Sequence, residues 1–150
     1  MKKVIFSIFV FAALFVLNKS EILACTCVPL PEDITIEQQV KEAYQTSSSV
    51  FIGEVIEVTQ KPDDEFYVTV RFKVDKIWND KKFQKEITLS TGKDDGLCGY
   101  SFERGEKYLV YASGESNKLS TNICTRTAPA ESNKDEAILN KLKKPRSSPK

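Results

Sequence analysis

The chain has 150 residues, with 22 basic and 21 acidic side chains, a net charge of +1 and no histidine. That balance lacks the positive field a nucleic-acid binder needs. The absence of histidine excludes a Ser-His-Asp triad, a histidine general base and a zinc site built on imidazole.

Met1-Lys2-Lys3 precedes an apolar run from Val4 to Leu17 and then the polar residues Asn18 to Glu21. A basic start, a short apolar core and a small residue before a cut are the layout of a secretory signal. The run falls short of the ~20 apolar residues that a spanning helix needs. Residues 1–24 are therefore expected to be a signal peptide, cleaved after Ala24 with Ile22 three residues before the cut, and the product is expected to be secreted. Three alternatives stand beside this: a retained membrane anchor, a cut a few residues earlier, and a lipoprotein signal. For the last, Ile22-Leu23-Ala24-Cys25 loosely matches a lipobox, although four polar residues separate it from the apolar core. Acylation at Cys25 would make the protein a cell-surface lipoprotein, the one circumstance in which a membrane is an expected partner.

Cys25-Thr26-Cys27-Val28-Pro29 follows. Two cysteines one residue apart do not readily pair with each other, and the remaining two are Cys98 and Cys124. Four cysteines beside an export signal read as two disulfides. The CxC spacing differs from the CxxC of zinc and redox motifs.

Beyond Pro29 and Pro31, Ile36, Val40 and Ala43 or Tyr44 recur at helical spacing, Thr35 and Gln38 have capping-box form, and Ser47-Ser48-Ser49 ends the helix. A strand is predicted over Ser49–Thr59, with Gly53 as a bulge or bend, and a turn at Lys61–Asp64. Phe66 to Trp78 alternates, with Phe66, Val68, Val70, Phe72 and Val74 on one face and Tyr67, Thr69, Arg71, Lys73 and Asp75 on the other. One wet face suits an antiparallel sheet or a barrel wall. Asn79–Lys82 turns the chain and Glu86–Ser90 is a third strand. Thr91–Gly99 is a loop containing Cys98 and the neighbouring acids Asp94 and Asp95, which read as solvated and not catalytic. Lys107–Ala112 is a fourth strand, with Tyr108, Val110 and Ala112 on one side, and Leu119–Cys124 a fifth. Five strands and a helix suggest a mainly β fold, either a five-stranded Greek-key barrel of the OB type or a sandwich.

After Ala128-Pro129-Ala130, Ser132 and Asp135 are expected to cap a short helix through Lys143, with Ile138 and Leu142 as its apolar edge. Lys143–Lys150 reads as a disordered basic tail. The expected organisation is a signal peptide (1–24), one globular domain (25–129) and a short helix with its tail (130–150).

The N-terminal motif Cys25-Thr26-Cys27-Val28-Pro29 resembles the start of the mature tissue inhibitors of metalloproteinases. Leu97-Cys98-Gly99-Tyr100, Gly105-Glu106-Lys107-Tyr108-Leu109-Val110 and Ile123-Cys124 resemble other parts of that family and of the broader netrin-like module, over roughly residues 25–129. The resemblance implies an OB-like barrel with an N-terminal helix and the pairs Cys25–Cys98 and Cys27–Cys124. It also implies a non-enzymatic, monomeric inhibitor whose partner is a zinc metalloprotease, with no small-molecule substrate and no cofactor of its own. The zinc belongs to the protease. In this expectation the α-amine and carbonyl of Cys25 ligate that zinc in trans. Thr26 enters the pocket beyond the scissile bond, Cys27, Val28 and Pro29 follow the primed side, and Gly96, Leu97, Cys98 and Gly99 form the neighbouring ridge. The bland counterpart is a netrin-like binding module in which CxC merely staples a segment to the barrel. The chain departs from the family's pattern in having no cysteine within the Ile34–Tyr44 helix, only a short helix and tail after Pro129, and a short turn at Lys61–Glu65.

Overall fold

The computed structural model describes residues 25–31, 33–79 and 83–147. The expected signal peptide and its cleavage after Ala24 therefore lie outside the described residues, as do Asp80–Lys82 of one expected turn and the last three residues of the tail.

Helix α1 (Ile36–Thr46) begins where the capping box predicts. The Thr35 hydroxyl accepts from the Gln38 backbone N–H at 3.2 Å, and Gln38 Oε1 accepts from the Thr35 N–H at 2.8 Å, so two otherwise orphaned donors are satisfied. Val40 is its fully buried residue, and Ser47 ends it in extended backbone. Strands β1 (Ser49–Gln60), β2 (Tyr67–Ile77), β3 (Glu86–Gly92) and β4 (Lys107–Ala112) follow, then the two-residue strands β5 (Leu119–Ser120) and β6 (Ala128–Pro129). Helix α2 (Asp135–Leu142) and the short strand β7 (Arg146–Ser147) complete the described chain.

These strands make one curled, mainly antiparallel sheet in the order β5-β3-β2-β1-β4-β6, with β7 also paired to β2. β3 and β5 run parallel, and a bridge between Ser113 and Ser120 links the end of β4 to β5. The register of β1 on β2 shifts at Ile52/Gly53, where the bulge was predicted. A Cβ on Gly53 would stand 2.9 Å from the Lys73 carbonyl oxygen, so the crossing strand leaves no room for one.

Two cores flank the sheet. Inside the curl lie Phe51, Val55, Val70, Phe72, Val74, Ile87, Leu89, Tyr108, Val110 and Leu119. Outside it, Val50, Ile52, Leu109 and Tyr111 pack against Val40 of α1 and Leu139 of α2, with Trp78 among them. Consequently β1 and β4 bury both faces along their shared length, whereas the outer face of β2 stays wet. On that wet face Arg71 pairs with Glu57 at 2.7 Å and Glu86 at 2.9 Å.

Several boundaries differ from expectation. The fifth strand is two residues long, because the chain leaves the sheet at Thr121 and Cys124 lies in a turn. The sheet has seven strand segments among the described residues, not five; β6 and β7 are the additions. The last helix starts at Asp135 with no side-chain cap from Ser132, whose hydroxyl donates instead to the Pro129 carbonyl at 3.2 Å. Asn133 Oδ1 accepts the Asp135 backbone N–H at 2.7 Å. Leu139, not Leu142, is the fully buried residue of α2, which makes this helix part of the same folded body. Arg146 and Ser147, expected in a disordered tail, pair with Ile77 and Lys76. No helix among the described residues is long and apolar enough to cross a membrane.

Candidate functional site

The N-terminal segment is held to the sheet by two bonds. Cys25 is disulfide-bonded to Cys98 and Cys27 to Cys124, each with Cα atoms 5.2 Å apart and with sequence separations of 73 and 97 residues. Cys25 and Cys27 are half-buried, and Thr26 between them is exposed. By the chain-entropy estimate each closure stabilises the fold by up to about 4–5 kcal/mol. The sulfurs of Cys25, Cys98 and Cys124 lie within 4.8 Å of one another, so the two bridges are neighbours. Their sulfurs are committed to disulfides and offer no thiolate to a metal.

The partner loop is built from local rules. Asp94 caps the short helical turn Asp95–Leu97, its carboxylate accepting the Leu97 N–H at 3.2 Å, and Cys98 takes up left-handed backbone at φ 55°. The Gly99 N–H returns to the Asp94 carbonyl at 2.9 Å, closing the loop. Gly99 then packs onto the carbonyl of Gly92, where a Cβ would overlap the oxygen. One residue on, the chain is anchored from below. The Tyr100 N–H donates to the Thr91 hydroxyl at 2.8 Å, and Tyr100 and Phe102 meet Tyr108 edge-to-face in the inner core, at centroid distances of 5.8 and 4.9 Å. Burial raises the Tyr100 pKa above the ordinary phenol value, with the nearby Tyr108 adding to it.

The second bridge is anchored in the same way. The Ile123 N–H donates to the Cys98 carbonyl at 3.0 Å, joining the two cysteine loops directly. Asn122 Oδ1 accepts the Cys124 N–H at 2.9 Å. Thr121, Thr125 and Thr127 form a hydroxyl cluster against the Tyr111 backbone. Behind it, Arg126 grips the buried Asp135 through Nε and Nη2, both at 2.7 Å, and Tyr111 donates its hydroxyl to the same carboxylate at 3.1 Å. The hydrogen bond to Asp135 raises the Arg126 pKa further, while burial first and Asp135 second push the Tyr111 phenol well above its usual value.

The residues expected at the site are thus distributed unevenly. Cys25, Cys27, Cys98 and Cys124 come together as the resemblance implied. Thr26, Val28 and Pro29 stand exposed on the segment, and Gly96 and Leu97 are exposed on the ridge. Gly99 is buried under that ridge, with no surface of its own to offer. The exposed apolar side chains are the larger surprise: Val28 is 89% exposed and Leu30 52%, with Ile123 at 41% and Leu97 at 37% in the two cysteine loops. Leu30 was not singled out by sequence reading, although it lies between two prolines that were, and Ile123 entered only as part of the Ile123-Cys124 resemblance, with no surface role.

Comparison with known proteins gives one likeness of note. The chain is 29% identical over 100 residues to an NTR domain-containing protein of Margaritifera margaritifera, a match covering 64% of this chain and 64% of that protein. The chain therefore spans less than two thirds of that relative's length. The likeness supports a netrin-like module and says nothing specific to the metalloproteinase inhibitors. No protein-family model matches the chain.

Proposed function

We propose that this chain is a secreted inhibitor of zinc metalloproteases that presents a mature N-terminal Cys25 to the protease zinc. The observation that carries the reading is the double anchorage of Cys25 and Cys27, which leaves Thr26 exposed between two bridges on an apolar edge. A protease zinc with three protein ligands keeps an open position for water or substrate. The α-amine and carbonyl of an N-terminal residue can close a five-membered chelate on such a metal. An α-amine has a pKa near 8 when free, and a neighbouring cation favours its neutral, donating form. Thr26 then occupies the pocket beyond the scissile bond, and Cys27, Val28 and Pro29 follow the primed side. Preorganisation by the bridges avoids the ordering cost that a flexible peptide would incur.

The sheet order supports a finer fold assignment. The order β5-β3-β2-β1-β4, the parallel β3·β5 pair and the single bridge from Ser113, just past β4, to Ser120 support reading the curled sheet as a Greek-key OB barrel. A second reading keeps that barrel and drops the chelation: a netrin-like binding module, whose lipid-anchored form would need the Cys25 sulfur that the structure places in the bond to Cys98. The relative's NTR description favours both readings equally.

The deciding experiment is N-terminal sequencing and mass measurement of the exported protein, followed by inhibition assays of that protein and of a form with one added N-terminal alanine. An unmodified Cys25 terminus and loss of inhibition in the extended form are expected. Equal inhibition by both forms, or an acyl group on Cys25, would eliminate chelation.

A further inference from the structure

Arg126 stands two residues beyond Cys124, in the turn that anchors Cys27. Its guanidinium reaches in two directions. On one side, Nε and Nη2 donate to the two carboxylate oxygens of Asp135 at the start of α2. On the other, Nη1 donates to Oε1 of Gln39 in α1 at 2.9 Å. Gln39 extends the chain of contacts, its Nε2 donating to the Ile34 carbonyl at 3.3 Å. Ile34 lies at the far end of the N-terminal segment that starts at Cys27. One end of that segment is joined to the turn that carries Arg126 by the Cys27–Cys124 bond, and the other meets the Arg126 side chain through Gln39.

We infer that Arg126 and Asp135 are positioning residues for the N-terminal edge, coupling both helices to the conformation of residues 27–31 and 33–34. The chemistry suits the task. A guanidinium presents five donors in a planar fork and can hold a carboxylate and an amide at once, which an ammonium cannot do with the same geometry. An exposed ion pair would add little order. Here Asp135 is only 3% exposed, and a buried carboxylate is costly unless its partners stay in place. Tyr111 contributes a third hydrogen bond, and Asn133 Oδ1 accepts the Asp135 backbone N–H. The carboxylate is therefore fixed, the guanidinium is fixed on it, Gln39 is fixed on the guanidinium, and the Cys124 turn follows through the backbone that joins it to Arg126. What the edge binds rests on the metalloprotease reading above; that the edge is ordered through Arg126 does not.

The test uses two variants of the isotope-labelled exported protein. Gln39→Ala removes only the outer link and favours the helix it sits in. Asp135→Asn keeps the side chain's shape while weakening the grip on Arg126. Backbone order parameters of Cys27, Val28 and Leu30 are expected to start near the rigid value of ~0.85 and fall toward ~0.6 in Gln39→Ala, while those of Val55 and Val110 in the sheet stay unchanged. Inhibition of a metalloprotease is expected to weaken about tenfold, the scale of one charge-assisted hydrogen bond. Should Asp135→Asn fail to fold, Gln39→Ala still decides. Unchanged order along the edge, or loss of order throughout the sheet, would overturn the positioning role, whereas lost edge order with inhibition intact would uphold it and move the protease contact off this edge. A wild type that inhibits no metalloprotease, combined with a local loss of edge order in the variant, would sink the inhibitor reading and leave the positioning role standing.

Discussion

Gly99 lies so close against the carbonyl oxygen of Gly92 that no side chain fits between them. The contact fastens the Cys98 loop to the end of β3, and the bridge to Cys25 passes that rigidity to the N-terminus. Gly99→Ala must push two backbone segments apart. We predict a loss of about 1–3 kcal/mol, the usual scale of overpacking, read as a lower urea midpoint with an unchanged slope. Gly96→Ala is the control. A Cβ there meets nothing nearer than the Asp94 carboxylate at 3.3 Å, and stability should hold to within about 0.5 kcal/mol.

Thr26 is the side chain that the two bridges leave exposed between them. On the proposed inhibitor reading, Thr26→Gly should weaken protease inhibition about tenfold to a hundredfold by emptying the pocket, the range expected for lost apolar contacts in a binding site. Thr26→Arg should retain inhibition of proteases with deep pockets and lose it for shallow ones. Inhibition constants against a panel of metalloproteases check both. A flat response to both substitutions would place the contact elsewhere.

Tyr111 predicts how the fold responds to alkali. Its phenol has a folded pKa raised above the unfolded value near 10, so the native state keeps a proton that the unfolded chain releases. The stabilisation is complete below pH ~10 and falls as pH rises beyond it, by about 1.4 kcal/mol per unit for one proton. Tyr111→Phe should remove most of that slope, leaving a smaller contribution from Tyr100, whose pKa is also raised. It should also cost about 1 kcal/mol at neutral pH through the lost bond to Asp135. Urea unfolding at pH 8 to 11 measures both effects.

Leu139 is fully buried against the outer face of the sheet, and Trp78 Nε1 donates to Asn140 Oδ1 at 3.0 Å beside it. Leu139→Ala should cost about 2–5 kcal/mol through the cavity it leaves. Leu142→Ala, at an exposed position, should change little. Thermal melts of the two variants give the comparison directly.

That last contrast shows where the sequence was legible and where it was not. Local rules placed α1 by its capping box, the bulge at Gly53 and the full extent of β4, because each depends on neighbours within a few residues. The inner face of β2 followed from alternation alone. The outward side chains of β4 did not: Leu109 and Tyr111 alternate with Tyr108 and Val110, and nothing in the strand says that helices cover its second face. The apolar edge of α2 was read only in part for the same reason: Ile138 packs on the outer core as expected, but Ile138, Leu139 and Leu142 are equally apolar and only the docking angle buries Leu139 in place of Leu142. Leu119–Cys124 read as one strand because the hydroxyl-rich stretch Ser120–Asn122 has no strong turn signal. The disulfide pairing came from resemblance, not from spacing. The link from Arg126 to Asp135 and Gln39 was invisible, because it joins residues distant in sequence through contacts that no periodicity encodes.

The two bridges also impose an order in time. Synthesis runs from the N-terminus, so Cys25 and Cys27 emerge early and wait while their partners, 73 and 97 residues away, are still unmade. At about 5–20 residues per second that is a delay of several seconds at least, during which, if the chain enters an oxidising compartment as proposed, each of these thiols meets only the other, or a foreign one. The sheet that carries Cys98 must be made before either first cysteine can find its native partner. Because three of the four sulfurs end within 4.8 Å of one another, a swapped pairing lies only a short exchange away. Correct assembly of this terminus is thus a late proofreading problem, and the yield of active protein should depend on a disulfide isomerase more than on the stability of the finished fold.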